Sequence, residues 1–428
     1  MKHFIFLLIF LTSALFGDVQ LIKKENNDSN ITLLVIGGIH GNEPGGYFAP
    51  AILAQHYTIT SKNLWIVPNL NKASILANRR GIHGDMNRKF SFIKKGDKDN
   101  AIVSEIKKII LAPQVSLVLN LHDGHGFYRP KSQSSIFNPN AWGQTCVIDQ
   151  SELKTQHTFG NLNTIATQVQ TNVNKRLIKK HHTFNVKNTH TKYKDEAMRL
   201  SLTYFAVTHN KPAFAIETSK NLSTLTQKVF YQLLAIEEYM KIMKIGFKRD
   251  FKLNAQELQK IIQNYGTLTI NGNIFFNLSN IKSNLRFIPI KSKDNEFAFS
   301  HPLGAIKKQS KNYVVYIGNK KIATLHPQYF SMYEGCPKEY EVQIDGKKVF
   351  VKKASYFDVK DDFMLVPNKD YRVNIIGFSK KGKKDESGLK ISKEDLSSRY
   401  SLDKSHRDYR VEIYHKKQFC TMLVAHFK

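Results

Sequence analysis

The chain has 428 residues, 41% hydrophobic and 23% charged, which are globular values that leave room for two or three domains and at least one sizeable core. Its 64 Lys and Arg against 35 Asp and Glu leave a net charge of +29, which favours polyanionic partners and carries no information about fold. Three cysteines, Cys146, Cys336 and Cys420, lack metal-site spacing and argue against a disulfide framework.

Residues 1–17 have the form of a secretory signal peptide. Met1 and Lys2 give a positive start, 4–16 is almost wholly apolar, and Gly17 precedes Asp18. Such a run is short for a membrane span, so cleavage is expected, leaving no stable span in the mature chain. Export also sets nucleic acid aside as a partner for the positive charge.

From 18 to about 245, apolar runs alternate with helical periodicity, the pattern of an α/β domain with a parallel or mixed sheet. Strands are expected over 31–36, 64–67, 115–121 and 212–216, with helices over 100–111 and 226–242. Beyond that the texture changes to short strands. A helix over 253–262 precedes a hairpin signalled by Asn271-Gly272 and a second around Gly318-Asn319-Lys320. Cys336-Pro337 reads as a linker, and the strand-rich remainder fits a small β-sandwich. The lysine-rich stretch 379–401 is expected to be a mobile loop.

Within the α/β part, the first apolar run empties into Gly37-Gly38-Ile39-His40-Gly41-Asn42-Glu43. Gly37, Gly38 and Gly41 let the backbone turn sharply, so that an imidazole and a carboxylate converge. Such a pair suits Zn²⁺, and a catalytic zinc needs one more protein ligand and an open position. His122 supplies the candidate, at the end of the apolar run that begins at Val115. Strand ends at the carboxyl edge of an open α/β sheet are where ligands bind. His125 is its rival, on a glycine-containing loop from which it could serve substrate instead. Glu217 follows a third apolar run, where an unpaired carboxylate has no structural reason to sit; it is placed to move protons as general base and acid. Between these strands, Asn78-Arg79-Arg80-Gly81-Ile82-His83-Gly84-Asp85-Met86-Asn87-Arg88 offers groups suited to a carboxylate and a developing oxyanion.

His-x-x-Glu, Arg-Gly followed by Asp-x-Asn-Arg-x-Phe, a strand-borne His and a strand-borne Glu together resemble the zinc carboxypeptidase superfamily, carboxypeptidase A-like. The resemblance runs over about 30–245. It implies one Zn²⁺ ion on His40, Glu43 and His122, with Asp85 orienting the His40 ring. It further implies Arg80 at the oxyanion, with Arg79 as the alternative, Asn87 and Arg88 on the substrate's terminal carboxylate, and Glu217 as base. The tyrosine expected upstream of the catalytic Glu has no matching motif here; Tyr193 and Tyr204 are its candidates. Gly38-Ile39-His40-Gly41-Asn42-Glu43 is closer to the deacylase-like branch, the aspartoacylases and succinylglutamate desuccinylases. Along its whole length, however, the chain resembles the periplasmic peptidoglycan DL-carboxypeptidases that determine cell shape in helical bacteria. That resemblance implies a mixed-sheet catalytic domain over 18–247, a small, mostly β, mixed α+β domain over 248–337 and an immunoglobulin-like β-sandwich over 338–428. It also implies a periplasmic enzyme that trims muropeptide tripeptides in the sacculus to dipeptides, releasing meso-diaminopimelate. Deacylation of N-acyl amino acids, or wall binding without catalysis, are the competing functions.

Overall fold

The computed structural model describes residues 19–26 and 29–428; the expected signal peptide lies outside the described residues. They form two compact units, one ending at Gln263 with Gly318–Lys320 added, the other built from Asn264–Ile317 and Lys321–Lys428.

The first unit is organised on a seven-stranded mixed sheet. Its strands are β1 (Ile22–Lys24), β2 (Thr32–Ile36), β3 (Asn63–Val67), β4 (Val115–Gly124), β5 (Thr145–Ile148), β6 (Asn185–Asn188) and β7 (Ala213–Ser219), in the order β1-β3-β2-β4-β7-β5-β6. β3, β2, β4 and β7 run parallel, whereas β1 and β5 pair antiparallel with β3 and β7. All five residues of β2 are buried, so this strand reads as a continuous apolar run because helices cover both faces of the sheet. Burying each of Leu33, Leu34 and Ile36 contributes about 1.5–3 kcal/mol. Helix α1 (Pro44–His56) follows β2, α2 (Asn100–Leu111) precedes β4, and α3 (Leu225–Ile242) follows β7. The chain leaves β2 for β3 on one side and returns to β4 on the other. The crevice at the carboxyl ends of β2 and β4 is therefore the topological switch point, where ligands of open α/β sheets bind.

Expected and observed elements agree closely in this unit, with β4 and β7 running three residues further, through His122 and Glu217. Helix α4 (Ala255–Gln263), assigned from sequence to the second domain, falls in the first unit and packs on α3. The segment from 264 to 331 is consequently built of strands alone.

In the second unit, the residues after 338 form two four-stranded sheets that share one apolar core. Val342, Phe363 and Leu365 enter it from one sheet, Val411, Leu423 and Phe427 from the other. Two expectations fail here. Cys336 and Cys420 form a disulfide across 84 residues of sequence, because the fold brings the segment before the first sheet against the strand Gln418–Phe427. Spacing along the chain cannot reveal such a pair. The stretch 379–401 is also not a free loop. Ile391 pairs with Phe363 and is fully buried, Leu396 is buried beside it, and Asp385 accepts the backbone N–H of Val373. Two apolar side chains anchor a lysine-rich segment.

Candidate active site

The loop after β2 is shaped by close approach as much as by turning. Gly38 has φ +74°, but Gly37 and Gly41 have ordinary backbone angles. A Cβ at Gly41 would collide with the Ser74 carbonyl, and one at Gly37 with that of Gly46. The chain thus passes against its neighbours and delivers His40 and Glu43 to the start of α1, where Glu43 is the N-cap and Pro44 the first helical residue. From β4 comes His122. His40, Glu43 and His122 are 1%, 3% and 3% exposed.

Three donor atoms converge. His40 Nδ1 lies 3.1 Å and His122 Nδ1 2.9 Å from Glu43 Oε2, and the two ring nitrogens are 3.2 Å apart. Donors at about 2.0–2.1 Å from a tetrahedral Zn²⁺ sit about 3.3 Å from one another. Two imidazole nitrogens and a carboxylate oxygen, all buried and packed together at this spacing, fit a metal ion. His40 Nε2 donates to Asp85 Oδ1 at 2.8 Å, which fixes the tautomer and leaves Nδ1 its lone pair. Without a metal ion, burial opposes charge at Glu43, but His40 and His122 beside it hold the carboxyl well below its ordinary range. Burial also opposes charge on His40, yet Glu43 and Asp85 raise it. A cation at this point would take over from those protons.

Asp85 has two further tasks. It caps the 3₁₀ turn Met86–Arg88, accepting the Asn87 N–H at 2.9 Å, and its other oxygen accepts from Arg80 Nε at 2.9 Å. Arg80 also reaches Glu43 Oε1 at 3.2 Å. Both adjacent arginines are exposed, but Arg80 lines the cavity, whereas Arg79 contributes its carbonyl to the Gly41 N–H. Asn87 turns its Oδ1 to the Leu202 N–H at 2.9 Å, leaving the amide nitrogen available; Arg88 Nη1 donates to the Asn87 carbonyl.

Glu217 faces His122 across the parallel β7–β4 pair. Burial pushes its carboxyl up to about 7, the charges of Glu43 and Asp123 adding to the effect while His122 and Arg80 oppose it. A carboxyl poised there can take a proton and give it back near neutrality. The surrounding cavity, about 270 Å³, brings together all eight residues expected at the site except Asp85, which acts from behind His40. His125 lies at its edge, exposed. Tyr193 is 76% exposed, and neither it nor Tyr204 lines the cavity.

Sequence reasoning missed several residues. Asp123 is buried and ties the site-bearing segments together: its Oδ2 accepts the Gly45 N–H at the start of α1, its Oδ1 the Thr218 hydroxyl beside Glu217, and its own N–H reaches Glu43 at 3.2 Å. Gln232, from α3, donates to the carbonyls of His122 and Ile216 and so holds β4 and β7 level. Asn120, Trp142, Met198, Thr203 and Lys220 also line the cavity. Only Asp123, adjacent to His122, carried a signal in the sequence; the others sit in segments without motif.

An open mixed α/β sheet with a histidine–glutamate–histidine donor set over its switch point, and a carboxylate facing it, defines a metallo-carboxypeptidase. The family model described as the catalytic domain of carboxypeptidases controlling helical cell shape matches residues 1–263, and that for the C-terminal domain of metallo-carboxypeptidases matches 333–428. The chain belongs to this family of cell-shape carboxypeptidases. No curated protein sequence matches it. Among solved structures it is similar to the cell shape determinant Csd4 of Helicobacter pylori. Apo Csd4 is 34% identical, with TM-score 0.89 over 96% of this chain and 100% of Csd4. Tripeptide-bound Csd4 is 34% identical at TM-score 0.88 with the same coverage. The mDAP-bound form, described as a D,L-carboxypeptidase, is 35% identical at TM-score 0.89 over 95% and 100%. Among the described residues no helix is long and apolar enough to cross a membrane.

Proposed function

We propose that this chain is an exported, zinc-dependent D,L-carboxypeptidase that trims peptidoglycan tripeptides to dipeptides, releasing meso-diaminopimelate, and so influences helical cell shape. The observation that carries the reading is the buried trio His40, Glu43 and His122 facing Glu217 in one cavity with Arg80, Asn87 and Arg88. Its donor set suits a single Zn²⁺ ion, which when bound polarises the scissile carbonyl and acidifies water. Glu217 takes the proton of the attacking water at its carboxylate and returns it to the leaving nitrogen. Arg80, held by Asp85, is the donor for the developing oxyanion. Asn87 Nδ2 and the Arg88 guanidinium grip the terminal carboxylate, which restricts cleavage to the last residue of the peptide. Asp85, besides holding Arg80, accepts from His40 Nε2 and so keeps Nδ1 free of a proton.

Export is supported by the character of residues 1–17 and by the Cys336–Cys420 disulfide, since such bonds persist in oxidising compartments such as the periplasm. The net charge of +29 suits a wall polymer whose stem peptides carry free carboxylates. We read residues 338–428 as an immunoglobulin-like domain that assists association with the sacculus. Incubation of the purified enzyme with muropeptides and with N-acyl amino acids, each with and without chelator, tests the reading. Chelator-sensitive cleavage of the tripeptide supports it; cleavage of N-acyl amino acids alone would return the deacylase function.

A further inference from the structure

The cavity side of the sheet carries two rows of side chains. In the first, His122 lies opposite Glu217 and Glu217 opposite Thr145; two residues back, Asn120 lies opposite Ala215 and Ala215 opposite Val147. Side chains alternate along a strand, so both rows share one face. Asn120, Ala215 and Val147 all line the cavity, with Met198 and Trp142. The second row is therefore a floor beneath the reacting row, made of small and apolar side chains and a single amide.

That amide is out of keeping with its surroundings. Asn120 is fully buried, yet neither its Oδ1 nor its Nδ2 has a hydrogen-bond partner among the described residues. Buried amides are nearly always paired, and leaving one unpaired lowers stability. Leucine, which has the same branched skeleton but two methyl groups in place of the amide O and NH2, would line the same floor without that cost. An asparagine retained here finds its partner in what enters the cavity.

The geometry points to Asn120 as a specificity-determining residue that binds the far end of the released residue's side chain, through a group that both donates and accepts hydrogen bonds. This inference rests on the carboxypeptidase reading above and says which part of the substrate the floor reads. An apolar side chain leaves both amide atoms unpaired. A lone ammonium satisfies only Oδ1, and a lone carboxylate only Nδ2. A side chain ending in ammonium and carboxylate on one carbon, as in meso-diaminopimelate, satisfies both, and being neutral overall it needs no charged partner on the floor.

Asn120→Leu tests this with two tripeptides, one ending in the double-headed residue and the other in norleucine. Wild type should prefer the first, and the variant should lose about 100-fold of that preference in kcat/KM. Without ligand, the variant should melt about 2–4 °C higher, because two unpaired buried polar atoms are gone. An unchanged preference, or a lower melting temperature with the preference intact, makes Asn120 structural and overturns the inference. If the leucine variant does not fold, Asn120→Ala carries the same preference comparison. A wild type that cleaves neither tripeptide removes the carboxypeptidase reading, and this inference with it.

Discussion

Replacing Asp85 with asparagine should weaken metal binding without touching a ligand. Asp85 accepts three hydrogen bonds, from His40 Nε2 at 2.8 Å, Arg80 Nε at 2.9 Å and the Asn87 N–H at 2.9 Å. Burial alone would raise its carboxyl, but His40 and Arg80 hold it below the ordinary carboxylate range, so it is an acceptor on every side. Asparagine offers one acceptor oxygen and a pair of N–H donors. If the amide faces Arg80, two donors meet. If it faces His40, the imidazole can pair with it only by moving its proton to Nδ1, the atom that lies 3.1 Å from Glu43. Losing an outer partner of this kind typically costs 10–100-fold in metal affinity, about 1.4–2.7 kcal/mol. Competition against a chromophoric chelator measures it directly, with circular dichroism to verify the fold. A variant binding zinc within about threefold of wild type would refute the role given to Asp85.

Three further substitutions have definite expected outcomes. Glu217→Gln should retain metal and lose about two to four orders of magnitude in turnover. Because burial raises Glu217 to about 7 in the folded protein, above its unfolded value, its contribution to stability is fully present below about pH 4.5 and is lost as pH rises through 7. The metal-free glutamine variant should therefore gain on wild type between pH 5 and pH 8 by about 2 kcal/mol, read by denaturant melts; a gap that does not change with pH contradicts this. Arg88→Ala should lose about 1.5–3 kcal/mol of binding for peptides with a free carboxyl terminus, seen as a reduced preference over amidated peptides. Cys420→Ser should destabilise the second unit by about 2–4 kcal/mol, because the bond closes a loop of 84 residues, while tripeptide cleavage persists; equal loss of cleavage would place that bond in the catalytic machinery.

The site was largely legible because its parts sit where apolar runs stop. His122 and Glu217 each interrupt a buried strand with a group that a core would reject, and parallel pairing sets them opposite each other; His40 follows a buried strand in a glycine-rich loop. The individual roles of Asp85 and Arg80 were legible only through resemblance: the residues alone marked a basic, glycine-punctuated loop suited to a carboxylate or oxyanion, and such a loop has no geometry of its own. Asn120 was hidden because it reads as one polar residue within an apolar run, and its lack of a partner exists only in three dimensions. The glycines were located correctly but for an incomplete reason: Gly37 and Gly41 are needed for backbone contact, not for positive φ. The disulfide and the anchored 379–401 segment were misread because both depend on contacts between residues distant in sequence.

The most direct measurement is product analysis of a peptidoglycan tripeptide incubated with the purified protein, with chelator, and with chelator followed by excess zinc. Release of meso-diaminopimelate and the matching dipeptide, abolished by chelator and restored by zinc, is the predicted result. An intact tripeptide in all three samples, or cleavage indifferent to chelator, would contradict the assignment of His40, Glu43 and His122 as the metal centre of a D,L-carboxypeptidase.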